Sequence, residues 1–471
     1  MFDKVLIANR GAIAVRIART CERLGIATVA VYSEAEEDSL HRQTCDEGVC
    51  IGPARVQDSY LNQAAILEAA KQTGAKAIHP GYGLLSENAS FVRAVEAAGL
   101  IFIGPSADAI ELFGDKVRAK ALARQAGVRV TPGSDEALSD LDAAAAECER
   151  IGYPVLVKAA GGGGGIGMQV VGDRDELKKA LEQCAHRARV AFGDERVYVE
   201  RYLERPRHVE VQVLGDRHGQ VVALGERECS IQRRHQKIIE ESPAPALVFS
   251  RNEEERRSAL FDAALRIAQE SNYYNVGTAE FIVDAQGRAS FMEWNPRLQV
   301  EHAVTEMCTG LDLVELQLRV AAGEPLPPEA LRAEPRGHAL EARIYAEDPQ
   351  KGFIPKPGEV KTLRWPALAP GSLRIESGIA PGSKVTPHYD AMVAKIVTFG
   401  ATRHQAILTL DRALAETEIE PLVTNLNFLR AVLAHESFRA GQYDTDFVQR
   451  LQAEQAERST EPGLTRESTP P

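Results

Sequence analysis

Apolar residues set the rhythm of the first hundred positions. Lys4 to Ala8 is a short apolar run that reads as a strand. Gly11 to Leu24 carries its apolar residues at helical spacing, with Ile13, Ile17 and Leu24 on one side, and Thr28 to Tyr32 is again a strand. Further alternating units end at the strands Ala75 to His79 and Leu100 to Gly104. This alternation predicts a small parallel sheet with helices on both faces. The turn Asn9-Arg10-Gly11 has a single glycine, so it is not a dinucleotide fingerprint. From Asp115, a suitable N-cap, a helix runs to about Gln125, with Gly127 and Pro132 closing it.

A second α/β region extends to about Gly323. Near its start, Val155 to Ala159 and Met168 to Val171 flank a glycine run that includes Gly164 and Gly165. A strand-like segment follows where a dinucleotide site needs a helix, and no Gly-Lys-Ser/Thr of a P-loop is present. A hairpin with a glycine tip fits, its backbone N–H groups able to close over phosphates, with Lys158 just before the tip. Thr278 to Val283 and Ala289 to Glu293 read as two strands around Gln286-Gly287. A two-residue loop there sets Glu280 directly opposite Glu293, with Asn295 two residues further on the same face. Opposed carboxylates destabilise a sheet unless a cation sits between them, and hard oxygen ligands suit Mg²⁺ or Mn²⁺. Phe281, Ile282, Val283, Phe291 and Met292 argue that this hairpin is not a solvated ribbon.

Pro325-Leu-Pro-Pro328 marks a linker. Beyond it, Val- and Ile-rich strands alternate with turns such as Pro357-Gly358 and Pro381-Gly382, and a helix spans roughly His404 to Glu416, giving a smaller α+β domain. The polar end of the chain, from about 452 to 471, lacks periodicity and is expected to be disordered.

Composition changes this picture little. At 471 residues two or three domains are expected. A net charge of −12 argues against a general nucleic-acid or anionic-membrane surface, and no apolar run approaches bilayer length. Seven scattered cysteines without CxxC spacing read as reduced thiols, so the expected location is cytoplasmic.

Two further polar stretches stand out. Glu226 to Lys237 concentrates charge after the strand Val221 to Leu224; Arg233 and Arg234 stay open between a solvated face and a pocket, while Lys237, bordering Ile238-Ile239, suits a pocket-directed ammonium. His208 and Glu210 alternate with Val209, Val211 and Val213, giving one polar strand face.

Taken together these motifs resemble the biotin carboxylases of the ATP-grasp superfamily, over residues 1 to about 446. The carrying stretches are Val5 to Gly11, His79-Pro-Gly-Tyr-Gly83 with Ser86-Glu-Asn88, Gly114-Asp-Lys116, the Lys158 hairpin, Pro206 to Glu210, Gln232 to Lys237, Asn295 to His302, and Glu341 to Ile344 with Ala346 to Pro349. The resemblance implies an α/β and α+β multidomain chain: a Rossmann-like pre-ATP-grasp domain (1–112), an ATP-grasp domain (113–323) with a mobile lid at about 131–204, and a C-terminal domain (336–446). It implies that bicarbonate attacks the γ-phosphate of MgATP to give carboxyphosphate, and that the carboxyl group passes to biotin on a separate carrier protein.

In that reading the ATP pocket comprises Lys116, Lys158, Gly164, Gly165, Glu200, Arg201, Tyr202, Leu203, His208, Gln232, His235, Glu280 and Glu293. Glu280, Glu293 and Asn295 hold the metal. Bicarbonate meets Arg297, Lys237, Gln299 and Val300, with Glu301 as general base, and a guanidinium suits that flat anion. Eight extended residues span about 26 Å, so the run from Glu293 to Glu301 must bend, and Pro296 is the natural place. Arg343 stabilises the negative oxygen on the biotin ring and Tyr82 lies beside it. A homodimer and separate carboxyltransferase subunits are the expected partners.

Four positions depart from the family pattern: Ala12, Ile166, Trp294 and Ala303. Tyr389-Asp-Ala-Met-Val-Ala-Lys395 looks like a biotin attachment site, yet Val393 and Ala394 separate Met392 from Lys395, so it reads as a strand of the C-terminal domain. Two other readings compete: a different bicarbonate-using ATP-grasp ligase, such as a carbamoyl-phosphate-forming half, and an ATP-binding scaffold without turnover.

Overall fold

The computed structural model describes residues 1–138, 140–161, 168–248, 252–367 and 371–460. The alternating start of the chain folds as its pattern requires. Five parallel strands lie in the order Glu47–Cys50, Ala27–Tyr32, Lys4–Ile7, Ala77–His79, Ile101–Phe102. Side chains alternate across this sheet. Val5 and Ile7 pack with Ile13 and Ile17 of the helix Gly11–Arg23, while Leu6 and Ala8 pack with Ile66, Phe91 and Val95 on the other face.

Residues 155–201 build a separate three-stranded antiparallel sheet, with Val155–Ala159 between Gln169–Val171 and Val197–Arg201. Its own core joins Val155, Val157 and Val199 to the helices Leu141–Ile151 and Arg174–Phe192. The hairpin expected from the glycine run is present; Gly164, Gly165 and Ile166 lie outside the described residues.

Six short strands pair off in three two-stranded sheets, and the other eight form one antiparallel sheet. Its order is Ala289–Asn295, Asn275–Val283, Arg207–Gly215, Val221–Arg233, Gln236–Ser242, His338–Tyr345, Met392–Gly400, Leu373–Ser377. The sheet therefore runs unbroken across the Pro325–Pro328 segment, where Glu240 pairs with Glu341 and Ile239 with Ala342. One face supports the largest C-terminal core, in which Ile344 and Ile396 meet Leu410 and Leu414 of the helix Arg403–Glu416.

Two expectations need correction. The hairpin loop at Gly287 has three residues, Ala285 to Gly287, because Asp284 N–H bonds to Arg288 O at 3.1 Å and Gly287 takes a φ of 74°. A one-residue bulge at Met292 then shifts the register back, so Glu280 still faces Glu293. The polar end is not structureless from residue 452, since a helix spans Phe447–Thr460. Phe447, Val448 and Leu451 anchor it in the C-terminal core, and the Ala, Glu, Gln and Arg residues that follow favour helix. Residues 461–471 lie outside the described residues.

Candidate active site

Strand pairing assembles the site from distant parts of the chain. Glu293 lies opposite Glu280, Glu280 opposite Glu210, and Glu210 opposite Arg227, a row of three carboxylates and a guanidinium across four strands. Like charges so placed destabilise a sheet unless cations intervene. They do. Lys116, at the start of the helix Lys116–Gln125, is ion-paired with Glu293, and its helix is capped by Asp115 Oδ1, which accepts from Val117 N at 3.0 Å. Lys237 Nζ lies 3.0 Å from Glu280 Oε1 and 2.6 Å from Glu210 Oε2. Arg227, with no exposed surface, lies 2.5 Å from Glu210 Oε1 and also donates to Gln212, Thr278 and Thr305.

Glu280 is the most heavily solvated carboxylate of the row, by protein instead of water. Its Oε1 accepts from Asn295 Nδ2 at 2.7 Å and Gln299 Nε2 at 2.9 Å, and Oε2 lies 2.8 Å from His208 Nε2. Gln232 Nε2 bonds His208 Nδ1 at 2.8 Å and so orients the imidazole toward Glu280. Burial raises the Glu280 pKa, but Lys237 and His208 overcome it and hold the carboxyl well below its usual range.

The strand ends at Asn295 and the chain does bend, as its length demanded, but the bend falls at Arg297, one residue after Pro296. Arg297 then folds back: Nη2 donates to Asn295 Oδ1 at 3.1 Å, Nη1 to Gln299 Oε1 at 2.7 Å, and Nε to Glu87 Oε2 at 2.7 Å. Glu87 comes from the parallel-sheet domain and its side chain is 40% exposed, so the Glu87 side of Arg297 faces the open edge of the site.

Glu301 sits at the centre with no exposed surface. Lys237 Nζ lies 2.7 Å from its Oε1 and Arg343 Nη2 lies 2.8 Å from its Oε2. Burial pushes the Glu301 carboxyl up, yet Lys237, Arg343 and Arg227 outweigh it and hold the pKa well below the carboxylate range. Arg343 also lies 2.5 Å from Glu240 Oε1. Glu240 and Glu341 face each other across two strands, and burial pushes both carboxyls above their usual range while Arg343 and Lys395 pull them back. The Tyr82 hydroxyl is buried with no hydrogen-bond partner among the described residues, and the Tyr82 backbone carbonyl accepts from Asn9 Nδ2 at 2.8 Å. Gly81 is required beside it, because a Cβ there would meet Asn9 Nδ2 at 2.8 Å.

Near the glycine hairpin, Lys158 Nζ lies 2.6 Å from Glu200 Oε2, and Lys120 pairs with the same carboxylate. Burial and the neighbouring Lys116 lower the Lys158 pKa to about 8. Arg201 donates to Ile151 O, and the backbone N–H of Tyr202 donates to Pro154 O at 3.1 Å; Leu203 is half-buried just beyond. His235 sits with Arg234 in the two-residue turn between Arg233 and Gln236, both at positive φ (49° and 68°). Burial and Lys158 lower the His235 pKa. Arg233 is structural: it lies 2.9 Å from Glu347 Oε1 and over the Phe353 ring.

Glu280, Glu293 and the Asn295 amide oxygen are hard oxygen donors on adjacent positions of one rigid hairpin, each carboxylate now balanced by a cationic side chain. That donor set fits Mg²⁺ or Mn²⁺. Lys120, Glu87 and Glu240 were not legible as site residues, and Arg227 was not separated from the surrounding charge run. Lys120 alone had a local signal, standing four residues after Lys116 on one helix face. Of the departures, Trp294 is buried and stacks on Phe113, with centroids 5.0 Å apart, and Ala303 and Ala12 are buried.

Three family models tile the chain: biotin carboxylase N-terminal domain over residues 1–110, carbamoyl-phosphate synthase L chain ATP-binding domain over 115–329, and biotin carboxylase C-terminal domain over 341–450. The chain belongs to the biotin carboxylase family. It is 51% identical to a biotin carboxylase of Halalkalibacterium halodurans over 95% of this chain and 97% of that protein. It is 47% identical to the mitochondrial methylcrotonoyl-CoA carboxylase subunit alpha of Arabidopsis thaliana over 98% of this chain but 62% of the longer relative. Among solved structures, the biotin carboxylase–β-γ-ATP complex from Campylobacter jejuni superposes with a TM-score of 0.92 at 43% identity, covering 96% of this chain and 99% of that one. The biotin carboxylase domain dimer of Hydrogenobacter thermophilus 2-oxoglutarate carboxylase, solved with MgADP, ADP and bicarbonate, gives 0.91 at 42% identity, covering 96% and 98%. The expected family, the three-part ATP-grasp fold and the biotin carboxylase activity with ATP, Mg²⁺ and biotin are borne out. No helix among the described residues is long and apolar enough to cross a membrane.

Proposed function

We propose that the face built by Glu280, Glu293, Arg297, Lys237, Glu301 and Arg343 performs ATP-dependent carboxylation of biotin carried on a separate protein. The observation that carries this reading is the convergence of Lys237 and Arg343 on the buried Glu301, 2.7 and 2.8 Å away, beside the acidic hairpin. Lys116 and Lys158 neutralise phosphates, and Glu200 to Leu203, His208, Gln232 and His235 line the nucleotide pocket, with Gly164 and Gly165 as its cover. Glu280, Glu293 and Asn295 hold the divalent ion, which supplies charge neutralisation on the phosphates.

Arg297 exchanges its exposed Glu87 contact for bicarbonate, gripping it with two parallel hydrogen bonds, helped by Lys237, Gln299 and Val300. Glu301 accepts the bicarbonate proton, the carbonate oxygen attacks the γ-phosphorus, and ADP leaves with the bridging oxygen's electron pair. The carboxyl carbon then bonds to N1 of biotin as its C–O bond to phosphate breaks, and the released phosphate takes the N1 proton. Arg343, beside Tyr82, stabilises the charge on the biotin ureido oxygen. Glu301 is a weak base while both cations hold it, so bicarbonate and biotin must draw Lys237 and Arg343 toward themselves first.

The functional division is 1–112, 113–323 and 336–446, with 131–204 as the lid; the family-model intervals and the separate small core of 155–201 support it. A homodimer, a biotinylated carrier and carboxyltransferase subunits are the partners, in the cytoplasm, with the dimeric relative as support. The test is ADP release from MgATP with bicarbonate and free biotin. A bicarbonate-dependent, biotin-stimulated rate is expected; nucleotide binding without turnover means the chain is a scaffold instead.

A further inference from the structure

The segment Tyr389 to Lys395, which looks like a biotin attachment site, does something else. Lys395 is completely buried on the strand Met392–Gly400 and cannot present an amine to a modifying enzyme. Its strand pairs it with Arg343 on one side and Glu376 on the other. Two cations directly opposite each other cost stability, and long side chains on neighbouring strands offer many cheaper choices for that position. The ammonium is kept charged by Glu376 Oε2 at 2.8 Å and Glu341 Oε2 at 3.2 Å. Its remaining hydrogen bond goes to neither carboxylate but to the carbonyl of Val300.

That carbonyl belongs to the peptide linking Val300 to Glu301, in the turn that leads into the helix His302–Thr309, and among the described residues no backbone N–H bonds to it. The preceding carbonyl, Gln299 O, is itself taken by His302 Nδ1 at 2.8 Å. The bend between Arg297 and Glu301 is thus clamped at two successive carbonyls. Fixing a carbonyl fixes the whole peptide plane, including the Glu301 N–H on its other edge.

We propose that Lys395 is a positioning residue for bicarbonate capture, holding the Val300–Glu301 peptide so that Arg297 and the Glu301 carboxylate stay in register. This rests on the bicarbonate reading given above. Lys395 touches no substrate; it acts through the loop, from the C-terminal sheet that also carries Arg343. A charged hydrogen bond of this kind, or a misplacement of about 1 Å, is worth about tenfold to hundredfold in a kinetic constant.

The test is steady-state ADP release by the full chain carrying Lys395→Met. The KM for bicarbonate should rise about tenfold or more while the KM for MgATP stays within about twofold, a split that general loosening of the fold does not produce. Because Lys395→Met strands two buried carboxylates, Lys395→Met/Glu341→Gln is measured alongside. The double variant should regain melting temperature but keep the raised bicarbonate KM, since the Val300 contact is still missing. Both KM values rising together, neither changing, or bicarbonate KM recovering with stability in the double variant would each overturn the proposal. A wild-type chain with no bicarbonate-dependent rate would instead sink the proposed function itself, whatever the variants do.

Discussion

Lys158 and Arg343 give the sharpest tests among single residues. Lys158 loses its proton near pH 8 instead of above 10, because burial beside Lys116 disfavours a second ammonium. It is charged below that value and neutral above it. The KM for MgATP is therefore expected to climb as pH rises from 8 to 9, and Lys158→Arg should flatten that limb while leaving the profile below pH 7 unchanged. Arg343→Ala removes an oxyanion partner, so biotin carboxylation should fall about 10²–10³-fold. Bicarbonate-dependent ATP cleavage should fall far less, because the phosphoryl step is assigned to Arg297, Lys237 and Glu301, and losing Arg343 removes one of the two cations that weaken Glu301 as a base. Equal loss of both rates in a coupled assay would mean that Arg343 serves the phosphoryl step. Removing divalent metal with a chelator should abolish turnover, and Glu293→Gln should raise the metal concentration for half-activation.

Between elements, the strand Gln236–Ser242 is the joint of the molecule. It borders the hairpin sheet on one side and the C-terminal strands on the other, and Glu241 rivets it there. That carboxylate, 1% exposed, meets His338 Nε2 at 2.5 Å, Arg403 Nε at 2.6 Å and the Tyr443 hydroxyl. Burial would raise its pKa, but Arg403 and His338 lower it from 4.5 to about 2. A folded pKa below the unfolded one stabilises fully above the unfolded value and loses that stability as pH falls through the folded one. On the order of 3 kcal/mol should vanish between pH 5 and 2 from this group. Glu241→Gln, measured by urea unfolding, should lose about 3 kcal/mol or more at pH 7, because Arg403 and His338 are left unpaired. It should also unfold with a weaker dependence on acid pH.

For the whole molecule, the continuous eight-stranded sheet and the separate small core around Val155, Val157 and Val199 predict two exchange behaviours. Amides of 236–242 and 338–345 should be protected together. Those of 131–204 should exchange sooner and gain protection when MgATP is added; protection confined to the large sheet would deny this part a role as lid.

Much is legible in the amino-acid sequence alone. Alternation in Lys4 to Tyr32 fixes which side chains face each side of a sheet, Asp115 marks a helix start, and the spacing around Gly287 sets Glu280 against Glu293. These are short-range matters of backbone geometry, and even there the loop length and the bulge at Met292 compensated for each other in a way periodicity does not reveal. Tertiary structure alone decided which strands became neighbours. Glu210 faces Glu280 across 70 residues of chain, Arg297 finds Glu87 across 210, and Lys395 reaches Val300 through a sheet that crosses the expected linker. No local rule sets such pairings, because the register between distant strands is chosen by packing of the whole sheet, and a buried charge takes its partner from whatever that packing brings within reach.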